Sequence, residues 1–596
     1  MSTALERLLP EPPIALLDEK PDEKPERASA RVAVRGKFLY RGEEKFYVRG
    51  VTYGAFRPDR AKNEYTDLSQ IDRDFAQMAE AGIDAVRIPH TMPPRALLDV
   101  AERRGLKVMV GLSAEQYAGY LIDTDKRFDI AGEIRAKVRT CAGHPALLCY
   151  ALGNEIPAPL VRWIGPARVE RYLRKLYRVV KREDPAALVT YVNYPTTEYL
   201  RLPFLDLVSF NVYLESEDRL ASYIARLQTI ADDRPLLLSE LGLDSLRNGV
   251  QTQARTLDWQ IRSTFAAGAA GAFVFSWTDE WYRGGEDVDD WAFGLTDRQR
   301  NPKPALRAVS RSYREVPFAE GDPPRISVVV CTYNGARTIR ECLDGLVGLQ
   351  YPNHEIIVID DGSTDGTGDL VREYAARGVR LVQTENRGLS NARNLGLELA
   401  TGEIVAYTDD DAFPDPHWLH YLAAAFRTPD YAAVGGPNLP PPGEDFVAEA
   451  VANSPGGPTH VLLSDREAEH IPGCNMAFRV AALRSLGGFD PQFRAAGDDV
   501  DICWRIQAAG WKVGFHPAAL VWHHRRKTVR AYWSQQTGYG KAEAMLQIKW
   551  PEKYNVAGHV SWAGRVYGRG LQHALGRVQR VYHGVWGLAP FQMRFD

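Results

Sequence analysis

Thr401-Gly-Glu-Ile-Val-Ala-Tyr-Thr-Asp-Asp-Asp411 decides how the second half of this chain is read. The apolar run from Ile404 to Tyr407 has the character of a buried strand, and it ends abruptly in three consecutive aspartates. Three like charges at one strand tip repel each other, which is tolerable in water or around a cation. The triplet is therefore either an acidic, solvated turn or a site where a hard divalent ion takes carboxylate oxygens together with substrate phosphates.

The neighbouring segments favour the second reading. Ile326-Ser-Val-Val-Val330 reads as a buried strand leading into Cys331-Thr-Tyr-Asn334, with a helical stretch from near Thr338. A second strand, Glu355-Ile-Ile-Val-Ile359, runs into Asp360-Asp-Gly-Ser-Thr-Asp365 and another helix. Strand, turn, helix, strand is the rhythm of a parallel sheet, whose ligands sit at the carboxyl ends of the strands. Asn386-Arg-Gly-Leu-Ser-Asn-Ala-Arg-Asn394 precedes the triplet strand. Ile471-Pro-Gly-Cys-Asn475, Gly487-Gly-Phe-Asp490 and Gly497-Asp-Asp-Val-Asp-Ile-Cys-Trp-Arg505 follow it. In this order and spacing, the block from about residue 325 to 545 resembles a glycosyltransferase family 2 catalytic domain of the Rossmann-like GT-A fold.

The resemblance implies a role for each motif. Cys331, Tyr333 and Asp361 end the first two strands, where a uracil ring is hydrogen-bonded, and Arg393 belongs to the same nucleotide pocket. Asp410 reaches toward the ribose, while Asp409 and Asp411 stand on the metal side. The ion, Mn²⁺ or Mg²⁺, neutralises the departing diphosphate. His523, in Val521-Trp-His-His-Arg-Arg-Lys527, is either a late metal ligand, a phosphate contact or part of a basic loop. Asp499 matches the base that removes the acceptor hydroxyl proton, with Asp498 toward the acceptor; the family usually shows Glu-Asp where this chain has Asp-Asp. The implied donor is a nucleotide sugar, UDP-linked by family precedent, and the implied outcome is inversion. Gln535-Gln-Thr-Gly-Tyr539 does not continue into the QxxRW motif of processive synthases, so addition of one or a few sugars is expected.

The first half carries a different rhythm. Apolar strands are expected at 48–54, 85–89, 107–112, 147–154, 188–193, 207–213, 235–241 and 271–277. Amphipathic stretches such as 71–81, 94–104 and 169–183 lie between them. Eight such alternations are the count of a (β/α)8 TIM barrel, whose chemistry sits at the strand C-termini. The fourth strand finishes Ala151-Leu-Gly-Asn-Glu155 and the seventh Leu238-Ser-Glu-Leu-Gly242. Barrel closure brings Glu155 and Glu240 to one mouth, the pair of carboxyls that glycoside cleavage needs.

These strand ends resemble clan A glycoside hydrolases across residues 35 to 315. The resemblance implies Glu155 as acid/base, with Asn154 as its partner, and Glu240 as nucleophile. It further implies Arg87 supporting the nucleophile, Tyr213 orienting it and Trp277 as the floor under a sugar ring. His90 is a candidate substrate contact or a structural strand cap, and Trp281 and Trp291 either line a carbohydrate cleft or pack in the core.

The whole chain of 596 residues, 45% apolar and 25% charged, is ordinary globular material. A net charge of −3 argues against nucleic acid as the principal partner. Six cysteines without a CxxC pair suit a reducing compartment. No secretory signal or spanning run is evident, so a cytoplasmic placement is expected, peripheral to the inner membrane face if the C-terminal stretch of basic and aromatic residues (Trp562, Arg565, Tyr567, Arg569, His573, Arg577, Arg580, Tyr582, Trp586) lies in an interface.

The expected divisions are a disordered tail at 1–31, the barrel at 32–315, a Pro-rich linker at 316–325, the transferase at 326–545 and a helical extension at 546–596. The expected function is a bifunctional carbohydrate enzyme, acting on a saccharide or lipid-linked saccharide acceptor in exopolysaccharide or envelope glycan synthesis. The alternative is a transferase whose barrel only binds glycan.

Overall fold

The structure is a computed structural model describing residues 31–595 apart from 61–62, 123–127, 319–320, 444, 455, 568–579 and 587–588. The eight expected strands are present, at Val48–Thr52, Ala85–Ile88, Lys107–Gly111, Leu147–Asn154, Val189–Asn193, Val208–Asn211, Leu236–Leu241 and Gly271–Val274. Each pairs in parallel with the next, and Gly271–Val274 returns to Val48–Val51, closing an N-terminal TIM barrel. Every residue of Ala85–Ile88 and Lys107–Gly111 is buried, which is why these strands read as continuous rather than alternating apolar runs. The helices bury one stripe each: in Pro166–Glu183 it is Val169, Tyr172, Leu173, Leu176, Val179 and Val180, at three- and four-residue steps.

A short meander, Val32–Arg35, Phe38–Arg41 and Glu44–Lys45, precedes the first barrel strand. Arg31, counted with the tail, is instead fixed by two 2.6 Å hydrogen bonds to Asp184. The remainder of the expected tail, 1–30, lies outside the described residues.

The second half is built on a ten-stranded mixed sheet among the described residues. Its first four strands in space, Val379–Gln383, His354–Asp360, Ile326–Thr332 and Ile404–Asp409, are parallel. Met476–Arg479 then joins antiparallel and carries the sheet onward through Tyr431–Gly435, Lys512–Phe515, Glu467–His470, His460–Leu462 and Arg565–Tyr567. A smaller sheet sets Val521–His523 between Ala412–Pro414 and Asn438–Leu439.

The expected helical extension at 546–596 is corrected. Helix Val529–Lys549 runs through the expected boundary, Arg565–Tyr567 is an edge strand, and Arg580–Trp586 pairs antiparallel with Ala589–Phe595. The physical reason is composition: Arg-Val-Tyr and Val-Tyr-His-Gly-Val-Trp are rich in β-branched and aromatic residues, which suit extended backbone. Arg569, His573 and Arg577 lie outside the described residues. No described helix is long and apolar enough to cross a membrane.

The two halves pack together at the N-terminal end of the barrel. Lys45 pairs with buried Asp415, which also accepts from Tyr40 Oη at 3.3 Å and from the His417 amide at 2.9 Å. Tyr47 Oη lies 2.8 Å from His417 Nδ1, and His516 Nε2 is 3.0 Å from the carbonyl of Ala266. The expected linker is packed too, with Phe318 stacked on His420 at 4.0 Å. On the barrel side these groups belong to the meander, to the loop leading into the first barrel strand and to the C-terminal end of helix Val250–Ala266. The transferase thus covers the barrel floor, and the strand tips carrying Glu155 and Glu240 are at the other end.

Candidate active sites

At the barrel mouth, Arg87 is buried and donates from Nη1 to Glu240 Oε1 at 2.7 Å and from Nη2 to Asn154 Oδ1 at 2.8 Å. Tyr213 Oη donates to the other Glu240 oxygen at 2.6 Å. Asn211 Nδ2 donates to Glu155 Oε1 at 2.8 Å and to Asn154 Oδ1 at 3.2 Å. One network therefore joins both glutamates and three of the expected supporting positions, Arg87, Asn154 and Tyr213, with Asn211 as a fourth member. Asn211 was not expected; its one signal is that it stands two residues before Tyr213, hence on the same strand face.

Electrostatics divides the pair. Burial, and then the charge of Glu240, raises Glu155 to about 7, so it holds a proton near neutrality. Glu240 has both oxygens on donors, one of them a guanidinium. Glu155 also adopts a left-handed backbone (φ 47°), a costly conformation for a residue with a Cβ.

Around the mouth, His90 is 3.7 Å from Glu115 and edge-on to Trp281 at 6.4 Å. Trp281 is buried and Trp291 half-buried, in a cluster with Phe275, Phe293 and Tyr213. Trp277 is a correction: at 0% exposure it presents no face on which a sugar ring can stack. Its backbone is pinned between Thr52 and Thr296, and its ring fills the main core.

The second site is an open cleft of about 1240 Å³ in the transferase half. The expected residues Tyr333, Arg393, Asp409, Asp410, Asp411, Asp498, Asp499 and His523 all line it. Strand pairing explains His523: it lies opposite Ala412 in the ladder, so its Nε2 comes 3.2 Å from Asp411 Oδ1. Burial disfavours the charge on Asp411, but His523 and Arg526 outweigh it and hold the carboxyl below its usual range. Burial pushes Asp409 up despite Arg393, and burial with Asp411 lifts Asp410 to about 7.

Asp409, Cys474 and His523 bring ligand atoms within 4.8 Å of one another. Oxygen, sulfur and nitrogen donors this close fit a divalent cation, and the thiol and imidazole suit Mn²⁺ better than all-oxygen-loving Mg²⁺. Cys474 was not legible as a donor, because its neighbours in this group come from two other strands.

Gly497, with φ 89°, opens helix Asp498–Ala508, placing Asp498 and Asp499 in its first turn at the positive end of the helix dipole. Asp499 Oδ2 accepts from the Gly473 amide at 3.0 Å. Burial opposes its charge, yet a His470 imidazolium, Arg393 and the Gly473 amide more than offset this and bring Asp499 to about 2.

Two expected nucleotide contacts are differently engaged. Arg393 is buried, its Nη1 on Asp498 and its Nη2 3.3 Å from Asp409 Oδ1, so it bridges the two acidic motifs. Asp361 is buried and accepts from the Arg387 and Gly388 amides at 2.9 and 2.8 Å, fixing the loop before the next helix. Cys331 ends its strand half-buried, and Tyr333 is exposed at the cleft rim.

Residues 327–487 match the family described as glycosyl transferase family 2, and residues 32–318 match the family described as glycosyl hydrolases family 2, TIM barrel domain. The chain thus joins a family 2 glycosyltransferase domain to a family 2 glycosyl hydrolase-type barrel. Among curated relatives it is similar to a pre-mycofactocin glycosyltransferase of Mycobacterium tuberculosis, at 33% identity over 38% of this chain and 48% of that one. A poly-β-1,6-N-acetyl-D-glucosamine synthase of Staphylococcus epidermidis is 27% identical over 38% of this chain and 57% of that one. The chain spans about half the length of these curated relatives. A solved family 2 β-galacturonidase from Eisenbergiella tayi aligns at 18% identity and TM-score 0.41 over 49% of this chain and 55% of that one.

Proposed function

We propose that the second half is an inverting, metal-dependent glycosyltransferase using a nucleotide sugar, and that the barrel is a retaining β-glycosidase or transglycosidase. The observation that carries the transferase reading is a single cleft lined by the aspartate triplet, His523 and Asp499. Asp499, held ionised, takes the acceptor hydroxyl proton while that oxygen bonds to the anomeric carbon. The bond from this carbon to the phosphate oxygen breaks, and its electron pair leaves with the nucleoside diphosphate. Asp409, Asp411, Cys474 and His523 would hold a divalent cation, which would supply charge neutralisation for that diphosphate. Arg393 keeps Asp498 and Asp409 in register without becoming neutral itself.

A UDP-linked hexose is the expected donor, and a saccharide or lipid-linked saccharide the expected acceptor. Such an enzyme belongs on the cytoplasmic side, where nucleotide sugars are made, in assembly of an exopolysaccharide or envelope glycan. The synthase among its relatives supports this setting.

In the barrel, Glu155 donates its proton to the leaving glycosidic oxygen while Glu240, oriented by Arg87 and Tyr213, attacks the anomeric carbon. A passive glycan-binding barrel needs neither a proton held on Glu155 nor two donors on Glu240, so catalysis is the better reading. Two assays test the halves separately. Nucleotide release from UDP-, GDP- and dTDP-sugars with Mn²⁺ reads the transferase. Turnover of aryl β-glycosides, abolished by Glu240→Ala, reads the barrel; a wild type without such turnover removes the glycosidase while leaving the transferase standing.

A further inference from the structure

We propose that His470 is the positioning residue behind Asp499, fixing this base and receiving the proton it takes from the acceptor; the inference rests on the transferase reading above. No motif marks His470, which ends the strand Glu467–His470. Its Nδ1 lies 3.0 Å from the carbonyl oxygen of Thr459. A carbonyl only accepts, so Nδ1 carries the hydrogen. In the neutral ring, Nε2 is then a bare lone pair. Nε2 faces Asp499 Oδ2 at 3.5 Å, and it is buried with no hydrogen-bond partner.

A carboxylate oxygen and a bare Nε2 both accept, so with the ring neutral they repel, and a proton between them completes the pair. Glycosyl transfer supplies that proton. The surroundings hold it in place: the His470 side chain is 9% exposed, and Trp562 stacks on the ring at 5.5 Å with planes 23° apart. Trp562 rests in turn on Trp504 at 5.7 Å. The other groups facing the ring are the Thr459 carbonyl and His460, from the strand paired with it. On the far side, the Gly473 amide holds the same Asp499 oxygen at 3.0 Å.

The step balances. The acceptor oxygen bonds to the anomeric carbon, and the diphosphate leaves with the electron pair of the broken bond. The hydroxyl proton passes to Asp499 and on to His470 Nε2, leaving an imidazolium beside a restored carboxylate. No oxidant or reductant takes part.

The test uses the full chain with Mn²⁺ and the nucleotide sugar that supports release, comparing wild type with His470→Gln and His470→Ala. In both variants kcat is expected to fall about 10- to 100-fold, as for other partners that act through a first residue. Donor KM and calorimetric UDP affinity are expected to stay at wild-type values, which also certifies folding. Glutamine can donate to Asp499 but cannot take a proton, whereas free imidazole can, so imidazole is expected to rescue His470→Ala. A wild-type kcat in His470→Gln overturns the proposal, and so does a raised acceptor KM at unchanged kcat.

Histidine-labelled NMR reads the proton without turnover. The resonance lost in His470→Gln is expected to show Nδ1–H, with an Nε2 shift that moves in Asp499→Asn. A ring protonated on Nε2 alone overturns the proposal. A wild type that releases nucleotide from no donor sinks the transferase reading while leaving that NMR result to decide where the His470 proton sits.

Discussion

Replacing Glu155 by glutamine is expected to stabilise the barrel, and only at neutral or alkaline pH. The folded-state value of about 7 lies above the ordinary 4.5 because burial and Glu240 both disfavour the charge. Between those values the folded barrel keeps a proton that the unfolded chain has lost, so stability falls as pH rises through this window and stays lowered above it. The gap corresponds to about 3 kcal/mol at 1.36 kcal/mol per tenfold change in proton affinity. Glu155 is only partly buried by its surface exposure, and solvent screening trims this to about 2 kcal/mol.

Glutamine keeps an oxygen for the Asn211 amide, now 2.8 Å away, and carries no charge at any pH. Thermal denaturation of the full chain at pH 8 is expected to show the barrel transition raised by about 4–8 °C in Glu155→Gln. At pH 4 both forms are neutral and the transitions are expected to coincide. An equal shift at both pH values, or a loss of stability at pH 8, refutes the claim that Glu155 holds a proton against its surroundings. Loss of aryl glycoside turnover in the same variant ties that proton to the chemistry.

Other perturbations address the remaining parts. Tyr213→Phe removes one of the donors on Glu240, worth about 1.5–3 kcal/mol for a bond to a charged group. Barrel kcat is expected to fall about 10- to 100-fold, measured with aryl β-glycosides. Lys45→Met leaves Asp415 buried without its cation, an expected loss of about 3–5 kcal/mol, seen in calorimetry as separation of the barrel and transferase transitions. In Lys45→Met/Asp415→Asn most of that loss is expected to return. His523→Ala is expected to weaken Mn²⁺ binding at least about tenfold, read by the free-ion electron paramagnetic resonance signal, with Mg²⁺ less affected because it prefers oxygen.

The barrel and its two glutamates were legible because each strand is a continuous apolar run closed by a chemically distinctive tip. Asn154-Glu155 and Ser239-Glu240 are local features, and parallel closure alone brings them together. The aspartate triplet and Asp498-Asp499 were legible for the same reason. Trp277 was misread because a strand-end aromatic looks alike whether it faces a mouth or fills a core; the strand stops at Val274, and the chain turns the ring inward.

Contacts set by pairing between remote segments were invisible. Lys45 and Asp415 are 370 residues apart, and His470 gains its meaning from Thr459, Asp499 and Trp562 together. The C-terminal segment failed differently: its basic and aromatic residues were read as a helical extension, lying in a membrane interface or packed on the transferase, while their β-branched neighbours favour strands.

Nucleotide release measured side by side for wild type and Asp499→Asn, with Mn²⁺ across a panel of UDP-, GDP- and dTDP-sugars, bears most directly on the transferase cleft. Release from at least one donor, reduced about 10²- to 10⁴-fold in Asp499→Asn with UDP binding intact, is the result expected of a positioned base. Equal rates in the two proteins, or no release from any donor, would contradict it.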